Sequence, residues 1–287
     1  MGDVTIAVAV KVNDGFVLAS DSATTLTMDN GAGATQIVKI YNNANKIFNL
    51  HKGLPVGAMT WGLGSIGVAS IATLAKDLRA RFTGQDADHP GWRLDSEAYT
   101  MTGVAERAIE FLNERANEAS LPGGVAPQSL GLLVGGYSTG ASMPELFELR
   151  LGTDPRPVPV LANDFGATWH GQPEAITRLL LGVSTVLPQA LINLGVPDKD
   201  VPMYWEAIKQ QVAVTFVTGA MPIQDAVDFA EFLVHTTIQY VRFALSTDGP
   251  TVGGPIEVAT ITKHEGFRWV ARKHYYSPHL NPPMEKT

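Results

Sequence analysis

The sequence predicts an α+β fold in which sheets pack together and helices lie outside them. Two observations predict it. Strand and helix patterns come in blocks (strands, two helices, strands, helices, strands), unlike the strict alternation of a parallel α/β sheet. The chain has 287 residues, 45% hydrophobic and 17% charged, which suffices for one large core. We therefore expect a single domain over residues 1–275, followed by a Pro-rich tail, 276–287.

The first half of the chain predicts four strands and two helices. Residues 4–12 and 16–21 are runs of small and β-branched residues that flank NDG, a pattern typical of a β-hairpin. A polar stretch with glycines, 26–45, separates them from two further predicted strands, KIFNL and LPVGAMTW. Apolar residues at helical spacing then predict helices over 65–83 and 95–119.

The second half continues with strands, helices and strands. Four apolar segments are predicted strands: SLGLLVGGY, ELFELRL, VPVLA and GATWH. Helical patterns then cover 173–185, 203–215 and 222–246, and the last of these begins with a proline suited to a first helical turn. The segments IEVATIT and FRWVAR are the final predicted strands.

Composition excludes several classes of function. The net charge of −7 is spread along the chain without a cluster of Lys or Arg, so we expect no nucleic-acid partner. No apolar run reaches the length of a membrane span and no secretion signal is present, so we expect a cytoplasmic protein without membrane contact. The absence of cysteine excludes disulfides, thiolate zinc sites and a cysteine nucleophile. The seven histidines lie apart, so we predict neither a metal nor a cofactor.

One glycine motif raises the question of a dinucleotide site. In TWGLGSIG, Gly62, Gly64 and Gly67 follow the order G-x-G-x-x-G after an apolar strand. A dinucleotide fold places this motif after its first strand and adds a second strand within about 30 residues, whereas here four strands precede it and a polar segment follows. We therefore interpret the glycines as a tight turn, whose outward backbone N–H can also stabilise an oxyanion.

A candidate nucleophile stands at the start of the first strand. Residues 1–4 fit a short leader, and their removal would free the α-amine of Thr5, which can then take the proton of its own hydroxyl. Asp21 closes the second strand and Lys46 opens the third, so a carboxylate and an ammonium can meet beside Thr5. Each residue also has an ordinary structural interpretation, as a strand former, a strand-end polar group and a solvated charge.

These stretches together resemble a known family. TIAVAVKVNDGFVLASDSATT, NKIFNL and GAMTWGLGS are similar to the opening of proteasome β-type subunits and their bacterial relatives, the HslV-type peptidase subunit and the ancestral β-subunit group called Anbu. The resemblance implies an N-terminal-nucleophile hydrolase with a four-layer αββα sandwich. It also implies that Thr5 is the nucleophile, Asp21 the acid, Lys46 the lysine and Gly62 the donor of the oxyanion N–H.

The last motif of that family has a counterpart near the C-terminus. TDGPTVGGPIEVATIT resembles it, with Asp248 and Thr251 matching an Asp-x-x-Ser pair that supports the nucleophile, and its VGGP form is closest to Anbu. The resemblance is strongest over residues 4–70 and weaker over 129–172 and 246–270.

The sequence also departs from the family pattern. Val4 stands where the family usually has Gly before the nucleophile, and Ile6 where a second Thr is common. His170, in TWHGQ, occupies the serine position of a Gly-Ser-Gly turn, and its role is open. The segment between Asp21 and Lys46 is longer than usual, and residues 186–221 resemble an added loop and helix.

We accordingly expect a threonine-type peptidase that acts on peptides or unfolded proteins. The resemblance implies a self-assembled ring or stack, with the helices over 65–83 and 95–119 meeting neighbouring subunits, and an ATPase partner would suit such a particle. Two alternatives stay open. One is a non-catalytic structural subunit that keeps its leader, which Val4 and His170 favour. The other is an amidohydrolase of the same class that acts on a small amide.

Overall fold

The structure, a computed structural model, describes residues 5–29, 35–119, 130–151, 156–245 and 251–273. Within these ranges the chain forms fourteen strands and six α-helices. The strands are β1 (Ile6–Val12), β2 (Gly15–Ser20), β3 (Thr24–Asp29), β4 (Thr35–Tyr41), β5 (Ile47–Asn49), β6 (Val56–Trp61), β7 (Ser65–Ile66), β8 (Ala69–Ser70), β9 (Gly131–Gly136), β10 (Glu145–Arg150), β11 (Val158–Val160), β12 (Gly166–Gly171), β13 (Glu257–Thr262) and β14 (Gly266–Ala271). The helices are α1 (Ile71–Thr83), α2 (Met101–Glu118), α3 (Glu174–Leu181), α4 (Leu187–Asn193), α5 (Val201–Val212) and α6 (Ile223–Phe243).

The strands form two antiparallel five-stranded sheets and two small hairpins. The first sheet has the order β12-β1-β2-β13-β14, and the second has the order β11-β10-β9-β6-β5. The hairpins pair β3 with β4 and β7 with β8. The chain is therefore a mixed α and β protein with antiparallel sheets, as the block order of the sequence predicts.

Both faces of the first sheet are buried at β1 and β2. Ile6, Val8 and Val10 of β1 pack against α3 and α6 in one apolar cluster, whereas Ala7 and Ala9 belong to a different cluster. This division follows from the alternation of side chains along a strand. It explains why β1 and β2 consist mostly of apolar residues: each of their residues is buried.

The second sheet is covered by α1 and α2. Val56 and Ala58 of β6 pack with apolar residues of both helices, including Leu74 and Phe111. A further cluster takes residues from both sheets, among them Phe16 and Leu18 of β2 with Met59 of β6 and Leu133 of β9.

Three sequence predictions differ from the structure. The helix predicted over 65–83 begins only at Ile71, because residues 65–70 form the β7–β8 hairpin and the Ser70 hydroxyl caps the helix by accepting from the N–H of Thr73. The polar stretch 26–45 contains most of the β3–β4 hairpin. The segment 186–221 holds two helices, α4 and α5, where one was predicted. The predicted leader, residues 1–4, and the tail, 276–287, lie outside the described residues.

Candidate active site

Thr5 lies immediately before β1 and is buried against the end of β12. The backbone N–H of Gln172 donates to the Thr5 carbonyl oxygen at 2.7 Å. Gly171 has a φ of +93°, and a Cβ at that position would lie 1.8 Å from the same oxygen. Only glycine allows the chain to approach Thr5 this closely. The end of β12 therefore holds the backbone of the candidate nucleophile.

The Asp21 carboxylate follows β2 and accepts four hydrogen bonds while fully buried. Its Oδ1 accepts from the Ile6 N–H at 3.1 Å and from Lys46 Nζ at 2.6 Å. Its Oδ2 accepts from the N–H groups of Ala23 and Gly253, both at 3.1 Å. One carboxylate oxygen thus joins the residue after Thr5 to the predicted lysine.

The Lys46 side chain is only 6% exposed, and its ammonium forms a buried ion pair with Asp21. Burial lowers the pKa of Lys46 below its ordinary value, Asp21 opposes that shift, and the ammonium of Lys273 adds to it. The Lys46 carbonyl accepts from the N–H of Thr60 at 2.9 Å, so β5 begins beside the end of β6. That strand end leads directly into Gly62.

The glycine motif is a turn that leads from β6 into a hairpin. Gly62 has a φ of +82° and Gly67 a φ of +57°, both in the left-handed region that favours glycine. The Gly64 carbonyl accepts from the N–H of Ile71 at 3.0 Å, which closes the loop onto the start of α1. Strand β7 lies within the motif, and β8 separates its last glycine from the helix. A dinucleotide-binding turn runs from its strand directly into the helix, so this geometry differs from one.

Thr251 is buried and lies two residues before Gly253, whose N–H donates to Asp21. The Gly253 carbonyl also accepts from the N–H of Ser22 at 3.0 Å, so this segment runs beside the residues that follow β2. Its predicted partner Asp248 lies outside the described residues.

A second ion pair lies next to the first and was missed in the sequence. Lys273 Nζ is 3.0 Å from Glu257 Oε2 and donates to Ser22 Oγ at 2.7 Å and to the Ala44 carbonyl at 2.6 Å. It thereby joins the segments that carry Asp21 and Lys46. The burial of Glu257 could have been predicted from its place at the start of an apolar strand, where a carboxylate needs a cation as partner. No local pattern marks Lys273.

His170 lies at the same end of β12 and contacts the second sheet. Its imidazole stacks on the indole of Trp61, with ring centroids 3.8 Å apart and ring planes 7° from parallel. Its Nε2 is 3.9 Å from Glu148 Oε2. Burial lowers the pKa of His170 to about 4, the Glu148 carboxylate opposes that shift, and Arg150 adds to it. The imidazole is therefore neutral at pH 7.

The structure thus places a buried carboxylate–ammonium pair against Ile6, the residue that follows Thr5. The described ranges contain no group of three or more His, Asp or Glu side chains placed to hold a metal ion. None of the helices in the described part of the chain combines the length and apolar character needed to cross a membrane.

Solved structures of the ancestral β-subunit share this fold. No protein-family model matches the chain, and no curated protein matches it. One structure is the helical assembly of the Anbu complex from Pseudomonas aeruginosa, with a TM-score of 0.54 and 15% identity over 94% of this chain and 88% of that one. Another is Anbu (ancestral beta-subunit) from Yersinia bercovieri, with a TM-score of 0.52 and 14% identity over 94% and 89% of the two chains. The resemblance to Anbu is thus confirmed at the level of the fold.

Proposed function

We propose that this chain is an N-terminal-nucleophile hydrolase of the proteasome β type, which cleaves peptide bonds with Thr5. One observation carries the proposal: Asp21 Oδ1 accepts from both Lys46 Nζ and the N–H of Ile6. Burying this carboxylate and ammonium costs desolvation free energy. Buried charged groups with shifted pKa values, such as Lys46, concentrate at functional sites. The position of this pair beside Ile6, the residue after the candidate nucleophile, supports the roles that the sequence resemblance implies.

In the proposed reaction, loss of residues 1–4 frees the amine of Thr5. The amine takes the hydroxyl proton as Oγ attacks the peptide carbonyl, and the Gly62 N–H stabilises the oxyanion. Collapse breaks the C–N bond, the leaving amine takes the proton, and an ester to Thr5 remains. Water then attacks the ester with the Thr5 amine as base, and the acid product leaves. Lys46, held by Asp21, keeps the amine neutral through its charge, and Thr251 with Asp248 orients the site.

We further propose that the domain is a four-layer αββα sandwich, residues 1–275, that assembles with copies of itself. Three separate apolar clusters support the layer order: one between helices and the first sheet, one shared by both sheets, and one between the second sheet and its helices. The Anbu complex with the same fold forms a helical assembly. A native mass of two or more subunits would support self-assembly, and the mass of a single subunit would contradict it.

The test compares wild type with Thr5→Ala and with Thr73→Ala, an exposed threonine on α1 as a matched control. We expect wild type and Thr73→Ala to begin at Thr5 by intact mass and N-terminal sequencing, and to hydrolyse fluorogenic peptides. Thr5→Ala should keep residues 1–4 and lose turnover, because it lacks the hydroxyl nucleophile.

Other outcomes point to the two alternatives. Wild type that keeps residues 1–4 and cleaves nothing would support a structural subunit, which the bulky Val4 favours. Turnover of small amides but not of peptides, lost in Thr5→Ala, would support an amidohydrolase. Undiminished peptide hydrolysis by Thr5→Ala would refute the nucleophile.

A further inference from the structure

The indole of Trp61 occupies a space that exists because its cross-strand neighbour is a glycine. Trp61 is the last residue of β6, and its cross-strand partner is Gly131 of β9. A Cβ on Gly131 would lie 2.1 Å from the indole ring. The ring therefore lies across the neighbouring strand at a position where any side chain would collide with it. Trp61 is only 5% exposed.

His170 reaches this indole from the other sheet. The two rings are parallel within 7° at 3.8 Å, a close face-to-face contact. The same imidazole has Glu148 of β10 at 3.9 Å from its Nε2, and Thr168 Oγ1 lies 3.4 Å from that nitrogen. His170 thus connects the end of β12 in the first sheet with two strands of the second sheet.

Consecutive residues at the end of β12 contact both halves of the candidate site. Gly171 lies against the Thr5 carbonyl, and the N–H of Gln172 donates to it. His170, the residue before them, stacks on Trp61. The peptide unit that follows Trp61 carries the Gly62 N–H.

Gly62 has no side chain with which to anchor that N–H. Its left-handed φ of +82° also leaves its backbone at a turn, outside the ladder of β6. The peptide bond that carries this N–H begins at Trp61, whose indole is buried.

We propose that His170 is a positioning residue whose stack on Trp61 aligns the Gly62 N–H with Thr5. This inference rests on the proposed function, because it concerns the oxyanion donor of that reaction. An oxyanion donor acts only within about 2.7–3.1 Å of the developing charge, and losing one costs roughly 10²–10³ in kcat. A displacement of about 1 Å costs on the order of 10². The alignment matters in the transition state and not in substrate binding.

The test uses His170→Ala, His170→Phe and a matched control, His89→Ala. His89 also pairs with a carboxylate, Asp86, and contacts an aromatic ring, Trp92, but it lies between α1 and α2. We expect His170→Ala to lower kcat about 10- to 100-fold with KM within about threefold of wild type. His170→Phe keeps a ring on Trp61 and should retain kcat within about fivefold. His89→Ala should match wild type.

Amide hydrogen exchange supplies a readout that needs no turnover. The peptide covering residues 60–66 should exchange faster in His170→Ala than in wild type, and at the wild-type rate in His170→Phe and His89→Ala. If wild type proves inactive, the proposed function fails, and this exchange pattern alone decides whether His170 holds the turn.

Three results would overturn the inference. The first is unchanged kcat and unchanged exchange in His170→Ala. The second is an equal loss of kcat in the alanine and phenylalanine variants, which would assign the effect to imidazole chemistry and not to stacking. The third is a rise of KM with kcat unchanged, which would place His170 in substrate binding.

Discussion

Asp21 is the residue on which the candidate site depends. Its two carboxylate oxygens accept from three backbone N–H groups and one ammonium, and the residue is completely buried. Breaking a buried charge pair by removing one partner costs more than the pair contributes, because the other charge stays without compensation. Asp21 therefore couples the stability of the fold to the placement of Lys46.

Replacing Asp21 by Asn should destabilise the protein strongly. An amide has one acceptor oxygen and two donors, so the two donors that faced the replaced oxygen lose their acceptor and Lys46 loses its counter-charge. We expect the free energy of unfolding in urea to fall by about 3–5 kcal/mol at pH 7. Asp77→Asn, on the exposed face of α1, is the control and should change it by less than about 0.5 kcal/mol. Equal midpoints for both variants would contradict this account of Asp21.

The meeting of Asp21 and Lys46 could be predicted from the sequence because each residue stands at the end of a recognisable strand, and the role of Thr5 as nucleophile stays a prediction. The structure brings Asp21 and Lys46 together and places the residue after Thr5 on the same carboxylate oxygen. Lys273 could not be predicted. It lies more than two hundred residues from its partner Ser22, and its position depends on the pairing of β13 with β2 and β14.

At the scale of elements, Glu174 joins the start of α3 to the turn that leads into α4. Its carboxylate accepts from Ser184 Oγ at 2.6 Å, from the N–H of Thr185 at 2.8 Å, from the Thr185 hydroxyl and from Arg178 Nε at 2.6 Å. Burial acts to raise the pKa of Glu174, but these hydrogen bonds outweigh it and lower the pKa to about 2. The added segment 186–221 is thereby tied to α3.

Glu174→Gln should destabilise the protein in a pH-dependent way. The folded-state pKa lies below the ordinary value of a glutamate, so this stabilisation is present above about pH 4.3 and is lost as the pH falls toward 2. We expect a loss of about 1–2 kcal/mol at pH 7, measured by urea unfolding, that disappears near pH 2. The control Glu206→Gln removes an exposed ion pair with Lys209 and should lower the free energy of unfolding hardly at all. A pH-independent difference would contradict the role of the carboxylate charge.

Helix ends show what local patterns can predict. Ser70 and Thr100 cap α1 and α2 by accepting from the N–H groups three residues on, and such residues favour caps wherever they precede an apolar helical pattern. The prediction that α1 starts at 65 was wrong because the glycine turn closes into a hairpin first. The prediction that α1 and α2 meet neighbouring subunits stays a prediction.

At the scale of the whole molecule, the contact of His170 with the second sheet couples the packing of the two sheets to pH. The groups that face its ring are Trp61 of β6 and Glu148 with Arg150 of β10. Thr168, on its own strand, lies 3.4 Å from Nε2. An imidazole with this environment takes up a proton far less readily in the folded chain than in the unfolded one.

We therefore expect acid to destabilise wild type more than His170→Phe. The ordinary pKa of about 6.5 falls to about 4 on folding, so the unfolded chain binds the extra proton first and stability is lost as the pH falls from 6.5 to 4. That shift corresponds to about 3 kcal/mol in the free energy of unfolding, measured in urea at pH 7 and pH 4. His235→Phe, on the exposed side of α6, is the control and should keep the wild-type pH dependence. The same pH dependence of the free energy of unfolding in wild type and His170→Phe would contradict this effect of His170.

The sequence by itself predicted most of the elements and suggested a class of chemistry, which stays a prediction. Alternation and helical spacing mark most strands and helices, whereas the predicted roles of Thr5, Asp21 and Lys46 rest on their places at strand ends and on a family resemblance. Only the tertiary structure decided that Lys273 joins the two segments of the ion pair and that His170 stacks on Trp61. The physical reason is that periodicity records which face of an element is buried. It does not record which strands pair, in which register, or which rings meet when two sheets are packed together.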